Sequence, residues 1–100
     1  MTEADVGYVG SITIDQDLIE RAGFWPSEKV LVVSNTTGQR LETYVISGER
    51  NSGVICMNGA AALLIKRGEE IIVMGFELTD KPLESSIILV DEKNNFLKKL

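Results

Sequence analysis

The chain has 100 residues, 44% apolar and 25% charged, enough to build one modest core, so a single domain over residues 1–100 is expected. Fifteen acidic against ten basic residues leave a net charge of −5, and Lys98 and Lys99 are only a basic chain end, which disfavours nucleic-acid binding. With no histidine and one cysteine, Cys56, the sequence excludes Ser-His-Asp and Cys-His nucleophiles, His-containing and four-cysteine zinc sites, and an internal disulfide.

Residues 11–14 alternate as a short strand. Asp15 then reads as a helix N-cap, Leu18, Ile19 and Ala22 share one helical face, and Gly23 stands where a left-handed cap belongs. Phe24-Trp25-Pro26 is an extended connector, because proline pushes the preceding residue away from helical angles. A β-branched strand over residues 30–34, a turn over 35–38 and a returning strand over 40–46 make a hairpin. On the returning strand Arg40, Glu42, Tyr44 and Ile46 face one way, and Leu41, Thr43 and Val45 the other.

A second turn over 49–53 leads into a short strand over 54–57, where Cys56 is expected in the core and not as a nucleophile. Asn58-Gly59 breaks that strand, and residues 60–66 form a brief helix closed by Gly68. Residues 70–78 give the longest strand signal, with Gly75 marking a bulge or a close backbone approach. Pro82 lies in a loop, 86–90 is a strand, 91–95 a polar turn, and 96–100 a tail of helix or coil. Apolar runs such as 30–33 and 87–90 are far too short to span a bilayer, and residues 1–5 are polar and acidic, unlike a leader. A cytoplasmic protein without membrane attachment is the expectation. Several short strands with two small helices indicate a compact, mainly β barrel.

Singly, the chemistry-bearing residues are unremarkable. Gly10-Ser11 and Asn58-Gly59 read as turns, Tyr44 as half-buried packing, and Arg40 as a solvated strand residue. Together, Tyr8-Val9-Gly10-Ser11-Ile12-Thr13-Ile14-Asp15-Gln16-Asp17, Gly38-Gln39-Arg40-Leu41-Glu42-Thr43-Tyr44, Gly48-Glu49-Arg50 and Asn58-Gly59-Ala60-Ala61-Ala62 occur in that order. The set closely resembles the pyruvoyl-dependent aspartate 1-decarboxylase family.

The resemblance implies a double-psi β-barrel with short helices, assembled as a homotetramer that acts on L-aspartate to give β-alanine for pantothenate synthesis. It also implies self-cleavage between Gly10 and Ser11, giving a β chain (residues 1–10) and an α chain (residues 11–100) whose Ser11 becomes a pyruvoyl group. The residue types suit that chemistry. A serine hydroxyl can attack the preceding carbonyl, and a glycine there permits the backbone strain. The resulting ketone can condense with the substrate amine and serve as the electron sink that decarboxylation needs. By resemblance, Tyr44 is the proton donor, and a phenol stays protonated at neutral pH. Thr43 assists self-cleavage and later contacts substrate, Arg40 holds a substrate carboxylate with its planar fork, and Asn58, Gly59, Ala60 and Ala61 form the substrate-binding loop, aided by a helix N-terminus. No metal site is implied, and a maturation helper protein is a further partner to test for. Arg40 and Thr43 point to opposite faces of an ideal strand, so a bulge, a strand end or a subunit boundary must reconcile them.

Family members carry a longer amino-terminal segment with a first strand and a basic residue near the substrate carboxylate. Here ten residues precede Ser11 and the first cation is Arg21. A lost charge-assisted contact of roughly 1.5–3 kcal/mol would weaken aspartate binding without abolishing self-processing. The alternative expectation is a non-catalytic or impaired double-psi barrel serving as a binding or assembly module.

Overall fold

The computed structural model describes residues 10–82 and 85–100; residues 1–9, including Tyr8 and Val9 of the first motif, lie outside them. The chain is mainly β with short helices, as its sequence predicts. In order come β1 (Ser11–Asp15), α1 (Gln16–Ala22), β2 (Lys29–Ser34), β3 (Arg40–Gly48), β4 (Ile55–Asn58), α2 (Ala61–Leu64), β5 (Ile71–Met74), β6 (Ile88–Val90) and β7 (Phe96–Lys99). Five strands form a curled mixed sheet in the order β4-β1-β3-β2-β5, and β6 and β7 form a second sheet. Among the described residues only β1 and β3 pair parallel; the other pairs are antiparallel. A parallel pair needs a crossover, and α1 with β2 supplies it.

The core lies on one side of this sheet, where Ile12, Val30, Val32 and Val45 are fully or almost fully buried against Leu18 and Ile19 of α1. Helix α1 is short because both ends are fixed. The Asp15 carboxylate accepts the Asp17 N–H at 2.8 Å, and Gly23 takes φ 87° and returns its N–H to the Ile19 carbonyl. Asp15 also accepts N–H bonds from Asn51 and Gly53, both at 2.9 Å, so one buried carboxylate ties the end of β1 to the turn before β4. Burial pushes this carboxyl up, but the donors from Gly53, Asn51 and Asp17, with Arg50 nearby, outweigh it and hold the pKa below its ordinary value. The Arg50 guanidinium, with help from Gln16, lowers the Glu20 carboxyl to about 2.

Three expectations need correction. The strand expected over residues 70–78 is confined to Ile71–Met74, and β3 is the longest strand. At Gly75 a Cβ would lie 2.7 Å from Glu28 Oε2 and 2.8 Å from Phe24 Cε1, so the close approach expected there is present where the strand ends. Cys56 is exposed, because β4 borders the sheet and Cys56 points away from the core. The carboxy-terminal tail is a strand: Asp91 accepts the Lys93 and Asn95 N–H groups, the chain reverses, and β7 pairs with β6. Phe96 packs onto the core and lies beneath the Arg21 guanidinium, 4.0 Å from ring centre to Cζ. Among the described residues no helix is long and apolar enough to cross a membrane.

Candidate functional site

The sequence-predicted residues converge where β1 begins, between β3 and β4. Gly10 is buried with φ 93°, and a Cβ there would collide with the Asn58 carbonyl oxygen. Glycine is required on both grounds. Gly59 faces it, with φ 65° and room for a Cβ only 3.3 Å from the Gly10 Cα. The Gly10 and Asn58-Gly59 backbones therefore pack directly on each other.

Around the Gly10–Ser11 peptide bond the hydrogen bonds are specific. Thr43 Oγ1 donates to the Gly10 carbonyl oxygen at 2.7 Å, from a side chain only 6% exposed. Asn58 Nδ2 donates to Ser11 Oγ at 2.9 Å and to Thr13 Oγ1 at 2.9 Å. Cys56 Sγ lies 3.7 Å from Asn58 Oδ1 and 3.5 Å from the Met57 carbonyl, the acceptors open to its thiol. One peptide bond thus has its carbonyl oxygen held by a hydroxyl donor and the following hydroxyl held by an amide donor. Such an arrangement polarises the carbonyl and supports charge on either oxygen.

Register places the other residues. In the β1–β4 pair Ser11 lies opposite Asn58, and in the β1–β3 pair Ile12 lies opposite Val45. One residue back on each strand, alternation puts Ser11 and Tyr44 on the same face. Tyr44 in turn pairs with Lys29 of β2, so Asn58, Ser11, Tyr44 and Lys29 follow one another across four adjacent strands. Tyr44 is 36% exposed on this outer face. Thr43 reaches the Gly10–Ser11 bond from the core side instead.

Arg40 is not brought in with them. It is exposed at the start of β3 opposite Val33, and the register from Arg40 to Tyr44 is unbroken. No bulge turns it toward Thr43, and four residues of strand separate it from Tyr44 by roughly 13 Å. Ala60 is exposed, whereas Ala61 is fully buried in the core, so Ala61 can offer only its backbone. Helix α2 has one turn, no side-chain cap, and its Ala62 and Leu63 N–H groups are already given to Gly59 and Ala60 carbonyls. Sequence reasoning missed Thr13. Its signal was its spacing, two residues after Ser11 on the same strand face.

Residues 1–97 match the aspartate decarboxylase family. Aspartate 1-decarboxylase of Neisseria meningitidis serogroup C is 51% identical over 98 residues, covering 94% of this chain and 77% of that protein. The Acetivibrio thermocellus enzyme of the same name is 50% identical over 101 residues, covering 97% and 80%. That of Bacillus subtilis is 55% identical over 78 residues, covering 78% and 61%. The fold and the site define a mainly β protein built around one polarised Gly-Ser bond. The chain belongs to the aspartate decarboxylase family.

Proposed function

We propose that this chain is a self-cleaving precursor whose mature form decarboxylates L-aspartate to β-alanine and carbon dioxide, as the names of its relatives indicate. The observation that carries this reading is the grip on the Gly10–Ser11 bond: Thr43 on the carbonyl oxygen at 2.7 Å and Asn58 on the serine hydroxyl at 2.9 Å. Ser11 Oγ bonds to the Gly10 carbonyl carbon, the C–N bond breaks, and the hydroxyl proton passes to the freed amine. Loss of the Ser11 α-proton then breaks the Cβ–Oγ bond. The oxygen stays with Gly10 as its new carboxylate, and dehydroalanine remains. Water converts dehydroalanine to a pyruvoyl group and releases ammonia, so atoms balance.

The residues present fit a pyruvoyl group derived from Ser11, since a glycine of positive φ, a hydroxyl donor and an amide donor surround that position. When formed, the group supplies an electron sink for the bond to the departing carboxylate. The chain's own residues do the rest. Tyr44, on the Ser11 face, donates the proton that replaces carbon dioxide at the α-carbon. Asn58, with the backbone of Gly59, Ala60 and Ala61, orients the substrate, and Thr43 contacts it after cleavage. Arg40 pairs with a substrate carboxylate.

The same reading includes a double-psi β-barrel, a homotetramer and a cytoplasmic location, with a maturation helper as a further candidate partner. Exposed apolar side chains at one edge of the sheet, Ile72 on β5 and Phe76 just beyond it, favour assembly over a free monomer. A subunit boundary is then what brings Arg40 to a site. The test is release of labelled carbon dioxide from carboxyl-labelled aspartate. The wild-type protein is expected to release it together with β-alanine, and Ser11→Ala to release none. Equal release by both proteins would overturn the reading.

A further inference from the structure

We propose that Thr13 is a positioning residue for self-cleavage, holding the Asn58 amide so that an N–H faces the hydroxyl of Ser11. The inference rests on the reading that the Gly10–Ser11 bond is the one cut.

A primary amide carries two N–H groups on one end and a carbonyl on the other, and the ends do opposite work. In the β1–β4 pair Ser11 lies opposite Asn58 and Thr13 opposite Cys56. The Asn58 side chain therefore has Ser11 beside it and Thr13 on the diagonal, both on one face. Its nitrogen donates to Ser11 Oγ and to Thr13 Oγ1, each at 2.9 Å, so each N–H has its own acceptor. Its oxygen lies on the Cys56 thiol side, 3.7 Å from Sγ.

Turning the amide over would place its oxygen against Ser11, and the serine would then spend its proton on that oxygen. In the observed orientation the serine accepts. Its proton stays available for the freed amine, and the N–H supports the charge that builds on Oγ as the proton leaves. Of the two hydroxyls that set this orientation, Ser11 is the one that reacts. Thr13 is the fixed reference. Once Ser11 has lost its oxygen, Thr13 still anchors the amide, and the second N–H is released toward whatever occupies the site.

The experiment follows freshly prepared precursor by intact mass over time for the wild type, Thr13→Val and Thr13→Ser. Valine keeps the branched shape and removes the acceptor; serine restores the acceptor. Thr13→Val is expected to cut at the same bond about tenfold more slowly, in line with the loss of one hydrogen bond, and Thr13→Ser at close to the wild-type rate. Wild-type rates in Thr13→Val, or equal slowing in both variants, would overturn the inference. Should Thr13→Val fail to fold, Thr13→Ala against Thr13→Ser makes the same comparison, and equal rates in that pair would overturn it. A wild-type chain that is cut at another bond, or not cut, counts instead against the reading of the Gly10–Ser11 bond.

Discussion

The two halves of the site are built differently. At the start of β1, Gly10, Ser11 and Thr43 are buried, and every polar side chain there has a short partner within the same chain. On the outer face of β3, Arg40, Glu42 and Tyr44 are exposed, and an ion pair joins Glu42 to Lys29 at 3.3 Å with both side chains mostly in solvent. An exposed pair of that kind contributes little. The difference teaches that the proposed cut draws only on contacts already made inside one folded chain, whereas the proposed turnover draws on an exposed face of β3. Cutting and turnover should therefore separate by mutation.

The largest effect is expected from Gly10→Ala. A methyl group there meets the Asn58 carbonyl and must hold φ 93°, so the variant should stay uncut and melt lower than the wild type, read by intact mass and thermal melting. Normal cutting in Gly10→Ala would break the account of the buried half. Tyr44→Phe probes the exposed half. It should be cut like the wild type yet turn over aspartate about 100-fold more slowly, the usual scale for losing a positioned acid. Slowed cutting in that variant would merge the two halves.

Asp15→Ala sharpens the comparison from the far end of β1. Its carboxylate accepts three backbone N–H groups, and removing it should cost about 2 kcal/mol in urea unfolding. The acid limb has a definite sign. Because the folded-state pKa of Asp15 is depressed, its stabilisation is fully present above the unfolded value of 3.8 and is lost as pH falls through the lower folded value. The wild type should thus lose stability on acidification below that point, and Asp15→Ala should lose less. Parallel acid limbs for the two proteins would remove Asp15 from this role.

Local signals were legible where the chain closes on itself. Helix α1 carries both of its caps in sequence, at Asp15 and Gly23, and the β2–β3 hairpin carries its turn residues. The alternation that separates Thr43 from Tyr44 on β3 also survives intact. Strand β7 was not legible, since its Phe-Leu-Lys-Lys sequence alternates poorly and gains its partner only through the turn at Asp91. Cys56 was misread because an apolar run does not reveal that its strand borders the sheet. The contact of Asn58 with Ser11 and Thr13 spans more than forty residues, 47 and 45 along the chain, and depends on a register that periodicity cannot supply. The family motifs drew Asn58 and Ser11 into one site without that register; Thr13 stands in the first motif, but the motif alone gives it no role.

The central claim is that the Gly10–Ser11 bond is cut by its own serine, and an intact mass spectrum of the denatured protein tests it most directly. The account predicts two fragments divided at Gly10/Ser11, with the larger lighter by one ammonia than a chain beginning in serine. A larger fragment that retains a free amino-terminal serine, or a division at any other bond, would contradict it.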